Sequence, residues 1–143
     1  MDIRTLTAAE LDEAIILAKE VILSEKNASW SKEAAKSISE FMAERLKQFT
    51  VYGLYAEGLE SILAYDPDKM HVILLLTRQV SRKKGYATAL LNHLKEEADE
   101  NHLSKISANV VDSAVDFYHH YGFEDIGKST EAGGMNYTPM EYL

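Results

Sequence analysis

His71-Val72-Ile73-Leu74-Leu75-Leu76-Thr77, then Arg78-Gln79-Val80-Ser81-Arg82-Lys83-Lys84, then Gly85-Tyr86-Ala87-Thr88-Ala89-Leu90-Leu91, is the stretch on which the fold turns. Its first seven residues are almost continuously apolar, without the alternation of a half-exposed strand, which predicts a strand covered on both faces at the centre of a sheet. The loop that follows gathers four of the chain's 15 basic residues and no acid. Beyond it Ala87, Leu90, Leu91, Leu94 and Ala98 recur at helical spacing, so a helix over about 85–100 lays one apolar stripe on that sheet. A helix amino terminus presents unpaired N–H groups and about half a positive charge. Strand, basic loop and glycine-opened helix therefore read together as an anion site. Gly85 lets backbone approach an oxyanion, Ala87 keeps bulk out of the first turn, and Arg82, Lys83 and Lys84 complement a diphosphate. Four clustered cations are by themselves as often a solvated surface, so the surrounding elements have to decide. Neither a G-x-G-x-x-G fingerprint nor glycines followed by Lys-Ser or Lys-Thr occurs, which disfavours dinucleotide and P-loop sites.

Working outward, residues 2–6 read as a first strand. Thr7-Ala8-Ala9-Glu10 matches a capping box for a helix over about 8–25, and Ser31 caps a second helix that stops before Phe49. Residues 50–55 and 61–65 are rich in β-branched and aromatic side chains around Glu57-Gly58, which predicts a hairpin. Downstream come a strand at 104–110, a short helix at 114–121 capped by Asp112 and ended by Gly122, and closing strands at 123–127 and 135–142. The predicted order is β-α-α-β-β-β-α-β-α-β-β, an α+β fold with a mixed sheet in one domain over 1–143.

Composition narrows the function. The 143 residues are 46% hydrophobic and 27% charged, with 15 basic against 23 acidic side chains and a net charge of −8. That is globular composition, and the negative balance argues against nucleic acid or anionic lipid as partner. Cysteine is absent, so no disulfide, Cys-ligated zinc or protein thiolate is expected. No His/Asp/Glu spacing such as H-E-x-x-H marks a metal site. Without a signal-peptide pattern or a run near 20 apolar residues, a soluble cytoplasmic protein with no membrane partner is the expectation.

Arg82-Lys83-Lys84-Gly85-Tyr86-Ala87 resembles the pyrophosphate-binding Q/R-x-x-G-x-G/A signature of the GNAT superfamily of N-acetyltransferases. Downstream, Ala114-Val115-Asp116-Phe117-Tyr118-His119-His120-Tyr121-Gly122-Phe123 resembles that family's A-x-x-F-Y-x-x-x-G-F segment. The ending Tyr137-Thr138-Pro139-Met140-Glu141-Tyr142 is similar to the last strand of small bacterial members. Gln79 and Ser81 depart from the pattern, where proline and a bulky or basic residue are common, and so put the loop's shape in question.

The resemblance implies a bent mixed sheet whose fourth and fifth strands splay apart, with acetyl-CoA as cofactor. Its pantetheine arm would lie along Leu75, Leu76 and Thr77 and its pyrophosphate on Arg82, Lys83, Lys84, Gly85, Tyr86, Ala87 and Thr88. Asn109 either bonds the arm or satisfies local backbone. The implied reaction is direct acetyl transfer, in a ternary complex, to a primary amine of a small molecule or peptide. An alkyl amine with a pKa near 10 needs a base, and the departing thiolate needs a proton donor. Tyr118 occupies the family's general-acid position, with Tyr121 as a packing residue and fallback. His71 is the best-placed imidazole for the base. Trp30 and Tyr137 are the acceptor-site candidates, Trp30 alternatively serving as a hydrophobic staple. Dimerisation is frequent in the resembling family, so a homodimer is a possible partner state. Two other classes stay open: a non-catalytic acyl-CoA-binding module, and an interaction domain whose basic loop meets an acidic partner.

Overall fold

The structure, a computed structural model, describes residues 1–24, 32–132 and 135–143. In chain order the elements are β1 (Asp2–Thr5), α1 (Leu11–Ser24), α2 (Lys32–Leu46), β2 (Thr50–Tyr55), β3 (Leu59–Asp66), β4 (His71–Thr77), α3 (Tyr86–Glu100), β5 (Ile106–Val111), α4 (Val115–Tyr121), β6 (Glu124–Asp125), β7 (Thr130–Ala132) and β8 (Met135–Tyr142). Short 3-10 turns at Gln79–Ser81 and Asp112–Ala114 precede α3 and α4. The strands form one sheet in the order β1-β2-β3-β4-β5-β8-β6, with β7 also on β8. Every pair is antiparallel except β4–β5, which is the parallel pair. The predicted α+β class and mixed sheet are what the chain adopts.

Strand alternation divides the core between the sheet's two faces. Tyr52, Leu63, Val72, Ala108 and Val110 pack with Leu90, Leu91 and Leu94 of α3 on one face. Val51, Ile62 and Ala64 meet Leu17, Ala18 and Val21 of α1 and Leu46 of α2 on the other. Gly53 is needed here, because a Cβ would stand 2.7 Å from Leu6 Cδ2 and 2.9 Å from Leu59 Cδ1. The far half of α3 is tied to the hairpin by Glu97, which accepts from the hydroxyls of both Tyr52 and Tyr65. Burial pushes the Tyr65 phenol up to about 12.

Several local expectations change. The Thr7–Glu10 box forms as a turn ahead of α1, with Thr7 N and Oγ1 both 3.1 Å from Glu10 Oε1. Asp112 makes no side-chain cap. Its carbonyl instead accepts from Val115 N–H, so the helix begins after a 3-10 turn. The Ser31 cap lies outside the described residues. Gly122 ends α4 at φ +124°, its N–H donating to the carbonyls of Tyr118 and His119.

The closing hairpin has one strand more than expected, and Pro139 explains the split. Ile126 N–H donates to the Pro139 carbonyl at 2.9 Å, but proline has no N–H to return, so the ladder breaks there. Gly127 lets the chain pass, since a Cβ on it would lie 2.9 Å from Pro139 Cγ. The partner strand is thus divided into β6 and β7.

Candidate functional site

The site begins with a register change. Tyr65 pairs with Val72 while Ala64 pairs with Leu74, leaving Ile73 as an extra residue on β4. A bulge bends its strand and sharpens the twist. On the opposite edge, β4 meets β5 only at His71–Ser107 and Val72–Ala108. Past Ile73 the strands diverge around a cleft of about 600 Å³. β4 keeps cover on both faces, with Val72 and Leu75 against the α3-side core and Ile73, Leu74 and Leu76 against the α1-side core, but its open edge leaves every residue except Val72 only half-buried.

Both walls offer backbone hydrogen-bonding groups. The Leu76 carbonyl turns away to β3, accepting from Ser61 Oγ at 2.8 Å. By alternation the Leu75 N–H and C=O face the gap. Across it, Asn109 pairs with Pro139, whose polar backbone is turned to β6, so Asn109 also directs its N–H and C=O into the gap.

At one end of the cleft lies the amino terminus of α3. Gly85 has φ +79°, no side-chain cap is present, and no acid occupies the first turn. Ala89 N–H closes the first helical bond on the Gly85 carbonyl, leaving the N–H groups of Tyr86, Ala87 and Thr88 without intrahelical partners. Lys83 also takes a left-handed conformation, φ +64°. Arg82, Lys83, Gly85, Tyr86, Ala87 and Thr88 all line the cleft, whereas Lys84 is exposed outside it.

The loop is anchored by a residue that sequence reasoning missed. Glu60, the extra residue of a second bulge between β2 and β3, accepts from Ser81 Oγ at 2.7 Å and, through its carbonyl, from Arg78 N–H at 2.8 Å. Ser81's hydrogen bond holds the Glu60 carboxyl below the usual range. Arg78 does not reach the cleft: its guanidinium donates to the Leu59 carbonyl and to Glu20 Oε2. The only signal in the sequence was the Glu57-Gly58 turn, which gave no hint of register.

Tyr118 lines the cleft from α4 and is 6% exposed. Burial alone raises its phenol well above the ordinary value. Tyr121 is turned elsewhere, its hydroxyl donating to Asn92 Oδ1 at 2.8 Å and its ring stacked with Phe123 and Tyr142. Tyr137, half-buried, lines the cleft, as do Leu75, Leu76, Thr77 and Asn109. His71 does not. It sits at the closed end of the strand pair, with Nδ1 2.8 Å from Ser107 Oγ and its pKa lowered by burial. Trp30 lies outside the described residues. Among the described residues the cleft lining contains no Asp, Glu or His, and no group of three or more His, Cys, Asp or Glu could hold a metal.

The profile of the acetyltransferase (GNAT) domain matches residues 17–143. The chain belongs to the GNAT acetyltransferase family. Acyl transfer is the class of activity that this membership carries. No curated protein matches the chain. Among solved structures, the GNAT chain is similar to the PaiA N-acetyltransferase of Thermoplasma acidophilum, solved with coenzyme A, at TM-score 0.81 and 16% identity over 98% of this chain and 96% of that one. Apo YjaB of Escherichia coli aligns at TM-score 0.79 and 17% identity, over 99% and 97%. The ribosomal-protein-alanine N-acetyltransferase of Brucella melitensis aligns at TM-score 0.70 and 17% identity, over 100% and 99%. At these identities the likeness is one of fold. No helix among the described residues is long and apolar enough to cross a membrane.

Proposed function

We propose that this GNAT domain moves an acetyl group from acetyl-CoA to a primary amine of a small molecule or peptide, directly and in a ternary complex. The supporting observation is the continuity of one cleft from the uncapped α3 amino terminus, past unpaired strand backbone, to Tyr118. Acetyl-CoA supplies an activated thioester, and its three chemical parts match three parts of the lining. The helix N–H groups with Arg82 and Lys83 suit a diphosphate. The backbone of Leu75 and Asn109 suits the amides of pantetheine, which pair as a strand would. The neighbour solved with coenzyme A supports the same donor class.

Tyr118 acts as the proton donor to the departing sulfur. Its burial keeps the phenol protonated at neutral pH. The same dry wall raises the proton affinity of the thiolate, which offsets part of the phenol's raised pKa. With no cysteine in the chain, no cysteinyl acyl-enzyme forms. Tyr137, on β8 beside the end of β5, orients the acceptor.

The absence of Asp, Glu and His from the described lining favours a second reading, an acyl-CoA-binding module without turnover. Thermal unfolding with acetyl-CoA, followed by CoA release across a panel of amines, separates the two. A ligand at 100 times its Kd adds about 2.7 kcal/mol. Stabilisation with amine-dependent CoA release supports transfer, stabilisation without release supports the module, and no stabilisation contradicts both.

A further inference from the structure

We propose that the acceptor is a small monoamine with an apolar body: a primary amine on an uncharged hydrocarbon of several carbons, with no second ammonium group. This rests on the acetyl-transfer reading above and assigns the substrate class of the same site.

The cleft draws its lining from both faces of the sheet, and the two sides differ in chemistry. Tyr86, Phe117 and Tyr118 pack with the α3-side core, and on that side stands the amino terminus of α3, which suits the cofactor. Ile73 and Leu74 pack with the α1-side core, and Ile22, 3% exposed, lines the cleft from α1 itself. On β5, Ala108 and Val110 belong to the α3-side core, so alternation turns Asn109 and Val111 to the α1 side. Tyr137 is the register partner of Val111 and shares its face. The α1-side mouth is thus walled by Ile22, Ile73, Leu74, Val111 and the ring of Tyr137, with exposed Asn109 at its rim.

Four aliphatic side chains and one ring gain free energy by covering hydrocarbon. A second ammonium would exchange water for this wall, and among the described lining residues no carboxylate answers it. A peptide terminus fares no better, because its first amide lies within two bonds of the reacting nitrogen and would meet the same hydrocarbon unpaired. The chain's net charge of −8 draws a diamine toward the protein more strongly than a monoamine. A preference for the monoamine therefore has to come from the wall.

The test uses the full chain with saturating acetyl-CoA and reads kcat/KM from CoA release. Ethylamine, butylamine and hexylamine form a series in which each methylene is expected to raise kcat/KM about three- to fourfold. In 1,5-diaminopentane, nearly isosteric with hexylamine, an ammonium stands for the terminal methyl, and its kcat/KM should fall at least about 30-fold lower. Leucylalaninamide should also fall below hexylamine. Ile22→Ala should cost hexylamine about tenfold and ethylamine no more than about twofold, a difference that a general loss of fold would not produce. Tyr137→Glu adds a carboxylate to the mouth and should raise 1,5-diaminopentane relative to hexylamine by at least about tenfold. A flat series, or a diamine or dipeptide turned over better than hexylamine, would overturn the apolar mouth while leaving acetyl transfer in place. Binding of acetyl-CoA without turnover of any amine would overturn this assignment together with the transfer reading.

Discussion

Val72 and Ala108 are the last residues at which β4 and β5 pair. Immediately beyond Val72 stands Ile73, the residue for which β3 has no counterpart. One inserted residue therefore separates a strand paired on both edges from a strand paired on one. The freed edge becomes a wall with unsatisfied backbone, and an amide-bearing ligand can complete it. The cleft is a consequence of register and owes nothing to an unusual side chain.

Gly85 is the narrowest requirement of the anion pole. Its φ of +79° is left-handed, and a Cβ there would meet nothing within 4 Å. Alanine thus brings no clash within the protein, only backbone strain of about 1–2 kcal/mol and a methyl group in the ligand's approach. Gly85→Ala is expected to weaken acetyl-CoA binding by at least about tenfold in calorimetry while the protein stays folded. Gly58→Ala, in equally open space, should leave affinity unchanged. Equal affinities for the native protein and Gly85→Ala would remove the pole from the account.

The two tyrosines of α4 make an internal control. Tyr118→Phe deletes the cleft-facing hydroxyl and should lower kcat by about 10²- to 10⁴-fold, with acetyl-CoA affinity nearly unchanged. Tyr121→Phe deletes a hydrogen bond to Asn92, costing about 1 kcal/mol of stability, and should keep native kcat. Reversal of the two phenotypes would transfer the acid role to Tyr121.

Much of this layout is legible in the residues. The apolar run gave β4 its observed limits, His71–Thr77, and the stripe of Leu90, Leu91 and Leu94 placed α3 against the sheet because helical period and burial coincide there. Gly85 and Tyr118, singled out by their motifs, both line the cleft. What stayed hidden depends on pairing between distant segments. The Ile73 bulge is a mismatch with β3, invisible in β4's own composition. The break between β6 and β7 is written in Pro139, on the partner strand. Lys84 and Arg78 show that positive charge in a loop does not say which way each side chain turns: one is outside the cleft, the other bound to Glu20 and the Leu59 carbonyl.

Glu60 holds the loop from behind. Removing its carboxylate leaves the hydroxyl of Ser81, a residue only 3% exposed, without its acceptor, and frees the 3-10 turn that aims Arg82 and Lys83. Glu60→Ala is expected to raise KM for acetyl-CoA about five- to tenfold with kcat at saturation within about twofold, a loss of uniform binding. A fall in kcat at unchanged KM would contradict this positioning role.

His71 makes stability depend on pH. Its folded-state pKa is depressed below 6.5, chiefly by burial, whereas the unfolded chain keeps the ordinary value. Below pH 6.5 the unfolded state takes up the proton first, so stability falls with pH until the folded value is reached, and the full stability is present above 6.5. His71→Gln should flatten this part of the curve when Tm is followed from about pH 8 to about pH 5. An unchanged slope would place the dependence on other groups.

Backbone amide NMR during titration with acetyl-CoA tests the central claim most directly. Saturable shifts are expected to be largest at Gly85, Tyr86, Ala87 and Thr88, where the diphosphate meets the helix, and at Leu75 and Asn109 on the two walls. Saturable binding that leaves the start of α3 unmoved, with the largest shifts on another surface, would contradict the account.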